Sequence, residues 1–142
     1  MPRPATVRFY LDEDVRGLAK ILAALRNDLT YPGDPGGTVR GRRRPACSIT
    51  PATKDPDWIP LVSAQGWLIV TRDLAIQRHT AEITAVRDSG ARMVALAGAA
   101  AGGTWDQLEI VMAQWRVIDQ LTERPGPFIY TATRTTVRRL PL

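Results

Sequence analysis

The stretch Val7-Arg8-Phe9-Tyr10-Leu11-Asp12-Glu13-Asp14-Val15 constrains the fold more than any other, because an apolar run there ends in three consecutive acids. The β-branched and aromatic residues from Val7 to Leu11 predict a buried strand. From Val15 onward, Leu18, Ile21, Leu22 and Leu25 recur on one helical face and predict a helix to about Arg26. The acids therefore fall at a strand-to-helix turn, which in an open α/β sheet lies at the carboxyl edge where ligands bind. Two carboxylates about 5 Å apart repel by roughly 3 kcal/mol at an effective dielectric of ~20, so gathering them calls for a cation or a shared proton. A divalent metal is the simplest such cation. Asp14 is placed to cap the helix, which accounts for one acid without any chemistry. Capping does not account for Asp12, two residues earlier.

A second strand ends the same way. Lys54-Asp55-Pro56-Asp57-Trp58-Ile59-Pro60 predicts a helix capped by Asp57, with Pro60 in its first turn, Ile59 and Val62 facing the core and Leu61 a further candidate for that face. Gln65-Gly66 stops it, and Trp67-Leu68-Ile69-Val70-Thr71 reads as a buried strand running into Arg72-Asp73. Beyond it, Thr80 to Ser89 predicts a helix and Met93 to Leu96 a strand. Thr104-Trp105-Asp106-Gln107 fits a capping box opening a helix to about Thr122, striped by Leu108, Val111, Met112, Trp115 and Ile118, with Trp105 and Trp115 assigned to the core. Phe128-Ile129-Tyr130 and Arg134 to Leu140 read as closing strands at a sheet edge. The alternation predicts an α/β fold with a largely parallel sheet and helices on its faces. Residues 27–56, dense in Gly and Pro and then in Arg40, Arg42, Arg43 and Arg44, read as a long basic loop.

Charge narrows the function classes. The 142 residues, read as one domain, carry 19 basic and 14 acidic side chains, and all but two of the basic ones are Arg. A basic, Arg-rich surface around an acidic site suits a polyanion such as nucleic acid, although basic surfaces also serve plain solubility. The single Cys47 builds neither a disulfide framework nor a zinc site and has no base nearby in sequence. His79 has no partner at metal-ligand spacing. No run approaches the ~20 apolar residues of a membrane span, and the first residues lack a secretory apolar segment. A reduced, cytoplasmic setting is expected, with no membrane partner.

Three classes use acids at strand ends. Phe9 to Val15 resembles the first motif of haloacid-dehalogenase-type phosphatases, Asp-x-Asp-x-Val, with Asp12 as nucleophile and Asp14 as general acid. That family needs a later lysine and an acidic pair; no lysine follows Lys54 and no acidic pair follows Asp73. The missing lysine and the spacing to Asp73 also count against a phospho-acceptor receiver domain.

Taken together, Leu11-Asp12-Glu13-Asp14-Val15, Lys54-Asp55-Pro56-Asp57-Trp58-Ile59-Pro60 and Val70-Thr71-Arg72-Asp73 resemble the PIN-like nucleases, in particular the VapC-type ribonuclease toxins of bacterial toxin–antitoxin pairs. The nearest likeness is a divergent branch in which a Lys-Asp-Pro-Asp-Trp-Ile-Pro segment precedes a strand ending in Thr-Arg-Asp. It covers residues 7–97, and Pro127-Phe128-Ile129-Tyr130 also matches. The resemblance implies a three-layer PIN-like domain and a metal-dependent endoribonuclease using Mg²⁺ or Mn²⁺. It makes Asp12 and Asp73 metal ligands, Asp57 the helix-start acid with Asp55 as competitor, and Thr71 the residue that orients a carboxylate or water. Asp14 occupies a position often held by Asn or Ser. No acid occurs in Leu74-Ala75-Ile76-Gln77, so either Asp14 completes the ligand count or one ion suffices. The resemblance further implies an RNA substrate with Arg42, Arg43, Arg44, Lys54 and Arg72 on its phosphates, a cognate antitoxin that occludes the acids, and a homodimer. The alternative is a catalytically inactive PIN-like module that binds RNA or a partner.

Overall fold

The computed structural model describes residues 2–53, 55–72 and 80–142. Strands β1 (Arg3–Pro4) and β2 (Phe9–Leu11) lead through a 3-10 turn (Glu13–Val15) into helix α1 (Arg16–Leu25). Strands β3 (Leu29–Thr30), β4 (Gly37–Val39) and β5 (Arg42–Arg44) follow, then α2 (Asp55–Gln65), β6 (Leu68–Arg72), α3 (Thr80–Ser89) and β7 (Arg92–Leu96). A second 3-10 turn (Ala99–Gly102), α4 (Thr104–Ala113), α5 (Trp115–Leu121), β8 (Phe128–Ala132) and β9 (Val137–Leu140) complete the described chain.

The main sheet has the order β3-β2-β6-β7-β8-β9; all its pairs are parallel except β8 with β9. The mostly parallel α/β architecture read from the sequence is therefore present, with β9 at the edge as expected. Strand growth leaves β2 on one side for β3 and on the other for β6, so the direction reverses between β2 and β6, where open α/β sheets place their ligand crevice.

Side-chain alternation along the strands builds the two faces. Phe9, Leu11, Leu68, Val70, Val94 and Leu96 pack with α1, α4 and α5, whereas Tyr10, Ile69, Met93 and Ile129 pack with Trp58, Ile59 and Val62 of α2 and Val86 of α3. Being covered on both faces is why these strands read as unbroken apolar runs. Trp58 and Trp67 lie 5.1 and 6.4 Å from the Tyr10 ring, as packing partners of the second face. Partly buried Cys47 packs there too. At the far edge, Asp28 receives two bonds from Arg26 at 2.9 and 2.8 Å and one from Arg8 at 3.3 Å, while Arg8 also reaches Asp119 at 2.7 Å. Among the described residues, no helix is long and apolar enough to cross a membrane.

Several sequence expectations are corrected. Residues 27–56 are not one loop: they hold β3 and also β4 and β5, which join β1 in a small sheet of order β1-β5-β4. Arg44 is buried and ion-paired with the fully buried Asp34, which also accepts from the Gly36 N–H and the Thr30 hydroxyl. That pair fastens the small sheet to the body. The helix expected to reach Thr122 breaks at Gln114 into α4 and α5. Thr104 is helical rather than a cap, and Gln107 donates to the Ala101 carbonyl instead of closing a capping box. Trp105 and Met112 are 72 % and 68 % exposed, not core.

Candidate active site

Each of the three consecutive acids has its own surroundings. Asp12, directly after β2, is the N-cap: its Oδ1 accepts from the Glu13 N–H at 2.7 Å. This corrects the assignment of the cap to Asp14, and the physical reason is the interposed 3-10 turn, which starts the helical path one residue after Asp12. Glu13 turns away to Arg16 at 3.0 Å, whose guanidinium also donates to the Pro32 carbonyl and lies over the Tyr31 ring. Asp14 turns toward β6.

There it meets Thr71, which is 5 % exposed. The Thr71 hydroxyl lies 2.9 and 3.1 Å from the two oxygens of Asp14 and 3.3 Å from Asp12 Oδ2, and the Arg72 N–H donates to Asp14 Oδ2 at 3.2 Å. β2 and β6 are neighbours with Leu11 opposite Val70, and the Asp12 N–H donates to the Val70 carbonyl, so the two strand ends are held level. The acids thus stand at the reversal point of the sheet and at the start of α1, where the helix dipole favours negative charge.

A hydroxyl has one proton to donate, so it bonds one of the two carboxylates at a time, and its remaining contact is oxygen against oxygen. A cation between the groups removes that conflict. Carboxylate and hydroxyl oxygens are hard donors suited to Mg²⁺ or Mn²⁺ rather than to softer metals. The donor set fits such an ion, though no group of three or more acids, histidines or cysteines gathers among the described residues. Asp73 and Lys54, both expected in the site, lie outside the described residues, as does His79.

Asp57 is exposed and is the third residue of α2, not its cap, because the helix already starts at Asp55. Two residues, Gly66 and Trp67, join α2 to β6. At about 1.5 Å per residue the helix matches the roughly 16 Å of the strand and returns along it, so its first turn lies at the carboxyl edge. Trp58 against Tyr10 fixes it on the face toward which Asp12 and Thr71 alternate. Of the basic residues, Arg42 and Arg43 are exposed on β5, whereas Arg44 is committed to Asp34 and is withdrawn from the phosphate-binding set. Arg72 sends its guanidinium 3.5 Å from the Gly102 carbonyl. Sequence reading missed two contributors, the Arg72 backbone N–H and the Asp34–Arg44 pair. Neither leaves a signal in residue type alone.

The family model described as a PIN like domain matches residues 7–98 of the chain. Neither a curated protein nor a solved structure matches it.

Proposed function

The chain belongs to the PIN-like domain family, a nuclease-type fold, and from that premise we propose that it is a metal-dependent endoribonuclease, the toxin of a toxin–antitoxin pair. The observation that carries the reading is the Thr71 hydroxyl shared between Asp12 and Asp14 at the reversal point of the sheet.

In this reading Asp12, Asp14 and Asp73 hold a Mg²⁺ or Mn²⁺ ion. The bound ion supplies a water of lowered pKa and neutralises charge on the phosphate. Thr71 and the Arg72 N–H fix the Asp14 carboxylate, so that the ligands are set before RNA arrives. Asp57, in the first turn of α2, orients water or RNA at the open side in this reading. Arg42 and Arg43, with Lys54 and Arg72, grip phosphates, the sequence-independent part of RNA binding. A cognate antitoxin would silence the enzyme by covering these acids, most simply with a basic side chain.

The test is cleavage of a mixed RNA pool by the purified protein with Mg²⁺ or Mn²⁺, beside an EDTA control and the Asp73→Ala variant. Metal-dependent cleavage that disappears in the variant supports the proposal. Salt-sensitive RNA binding without cleavage, unchanged in Asp73→Ala, overturns it in favour of a non-cutting RNA-binding module.

A further inference from the structure

Three of the four tryptophans pack against aromatic rings: Trp58 and Trp67 on Tyr10, and Trp115 on Phe9 at 5.2 Å. Trp105 stands apart from them and is 72 % exposed. α4 turns Gln107, Ile110 and Val111 inward, which leaves Trp105 on the opposite, solvent side of the helix. One apolar residue in solvent is ordinary. This one is distinguished by its place in the fold.

α4 begins at the carboxyl edge of the sheet, where the 3-10 turn Ala99–Gly102 follows β7. Two contacts fasten that beginning to the acid cluster. The Arg72 guanidinium lies 3.5 Å from the Gly102 carbonyl, while the Arg72 N–H holds Asp14. On the other side the Thr104 side chain fills the space over Gly17, one helical turn beyond Asp14, so closely that a Cβ on Gly17 would lie 2.4 Å from the Thr104 hydroxyl oxygen. Trp105 is the next residue, in the first turn of α4. Helical side chains lean toward the N-terminus of their helix, so its ring tilts toward the edge that carries Asp12, Asp14 and Thr71.

We propose that Trp105 is the stacking platform for an unpaired base of the RNA, a few nucleotides from the phosphate held at the acids, a role that rests on the nuclease reading and narrows its substrate to RNA that is single-stranded beside the cut. The Arg72 guanidinium, between the acids and the start of α4, takes the connecting backbone. An indole in water beside a guanidinium is the pairing that grips single strands, because the ring takes a base face and the cation takes a phosphate. In a duplex both faces of each base are already stacked, so a paired strand has no face to give Trp105.

Fluorescence anisotropy tests this with a short labelled single-stranded RNA and with the same strand annealed to its complement, in EDTA so that neither is cut, over a series of salt concentrations. Circular dichroism confirms that each variant is folded. Trp105→Ala is expected to weaken single-strand binding about 5–150-fold, the range for one lost base stack, and Trp105→Phe to keep most of it. No phosphate contact goes with the indole, so the salt slope and the duplex affinity are expected to stay at their wild-type values. Single-strand binding unchanged in Trp105→Ala overturns the proposal, also where the indole turns out to hold a protein instead. So does an equal loss on both RNAs, or a loss that lowers the salt slope, since a disturbed fold or a lost charge produces those. A wild type that cuts RNA while Trp105→Ala binds it equally well leaves the nuclease reading standing and removes the platform alone. No single-strand binding by the wild type also overturns the platform, and cleavage of a mixed RNA pool then decides whether the nuclease reading falls with it.

Discussion

The Thr71 hydroxyl donates to Asp14 Oδ2 across 2.9 Å and thereby ties the end of β6 to the turn after β2. The bond links residues far apart in sequence and, with the Arg72 N–H, sets the attitude of the Asp14 carboxylate. Thr71→Ser keeps the hydroxyl and is expected to retain most cleavage, whereas Thr71→Val keeps the shape and loses it. Removing such an orienting bond costs roughly 10–100-fold in activity or metal affinity. Single-turnover cleavage against Mn²⁺ concentration distinguishes the two variants, and equal activity would show that Thr71 merely packs.

Asp12 has a structural task as well as its proposed chemical one, and the two separate by choice of replacement. Asp12→Asn keeps a good cap for the Glu13 N–H, so thermal stability stays near wild type while cleavage disappears. Asp12→Ala loses both, and about 1 kcal/mol of stability goes with the cap, offset by whatever carboxylate repulsion is relieved. Denaturant titrations of the two variants side by side check the ordering.

Neighbouring arginines on β5 are expected to behave in opposite ways. Arg44→Met leaves the Asp34 carboxylate buried without its cation, a loss of the order of 3–5 kcal/mol in urea denaturation. Arg43→Ala, at an exposed position, is expected to change stability by less than about 0.5 kcal/mol. It should instead weaken RNA binding alike for all sequences and lower the salt slope by about one. An Arg44→Met protein as stable as the wild type would contradict the buried pair.

Acid sensitivity is expected to concentrate at Asp28. Burial pushes its carboxyl up, but the two bonds from Arg26 and the charges of Arg26 and Arg8 outweigh burial and hold it below its ordinary value. A carboxylate whose folded pKa lies below its unfolded value of about 3.9 contributes stability that is complete above that pH and is lost as pH falls through the folded pKa. Asp28→Asn is expected to cost roughly 1–3 kcal/mol at neutral pH. The gap to wild type should hold down to about pH 4 and close below it, as seen in denaturant midpoints measured against pH.

Much of the fold was legible because local physics dominates it. Phe9 to Leu11, Leu68 to Val70 and Met93 to Leu96 are buried and could only be written as apolar runs, so the strands and their largely parallel sense followed from the alternation with helices, while the strand order did not. Asp12 and Thr71 were legible for the same reason, as polar residues where such runs end. What failed was nonlocal. Arg44 looked like its exposed neighbours until Asp34 was brought against it, and Trp105 looked like core until α4 turned Gln107, Ile110 and Val111 inward and left Trp105 and Met112 in solvent. The sequence alone determined which residues lie at strand ends, since periodicity and turn chemistry act within a few positions. Only the tertiary structure decided which of the acids share a hydroxyl, which arginine is consumed by a buried pair and which apolar stripe is left uncovered, because those depend on groups that meet only when the sheet reverses between β2 and β6 and the helices close on its faces.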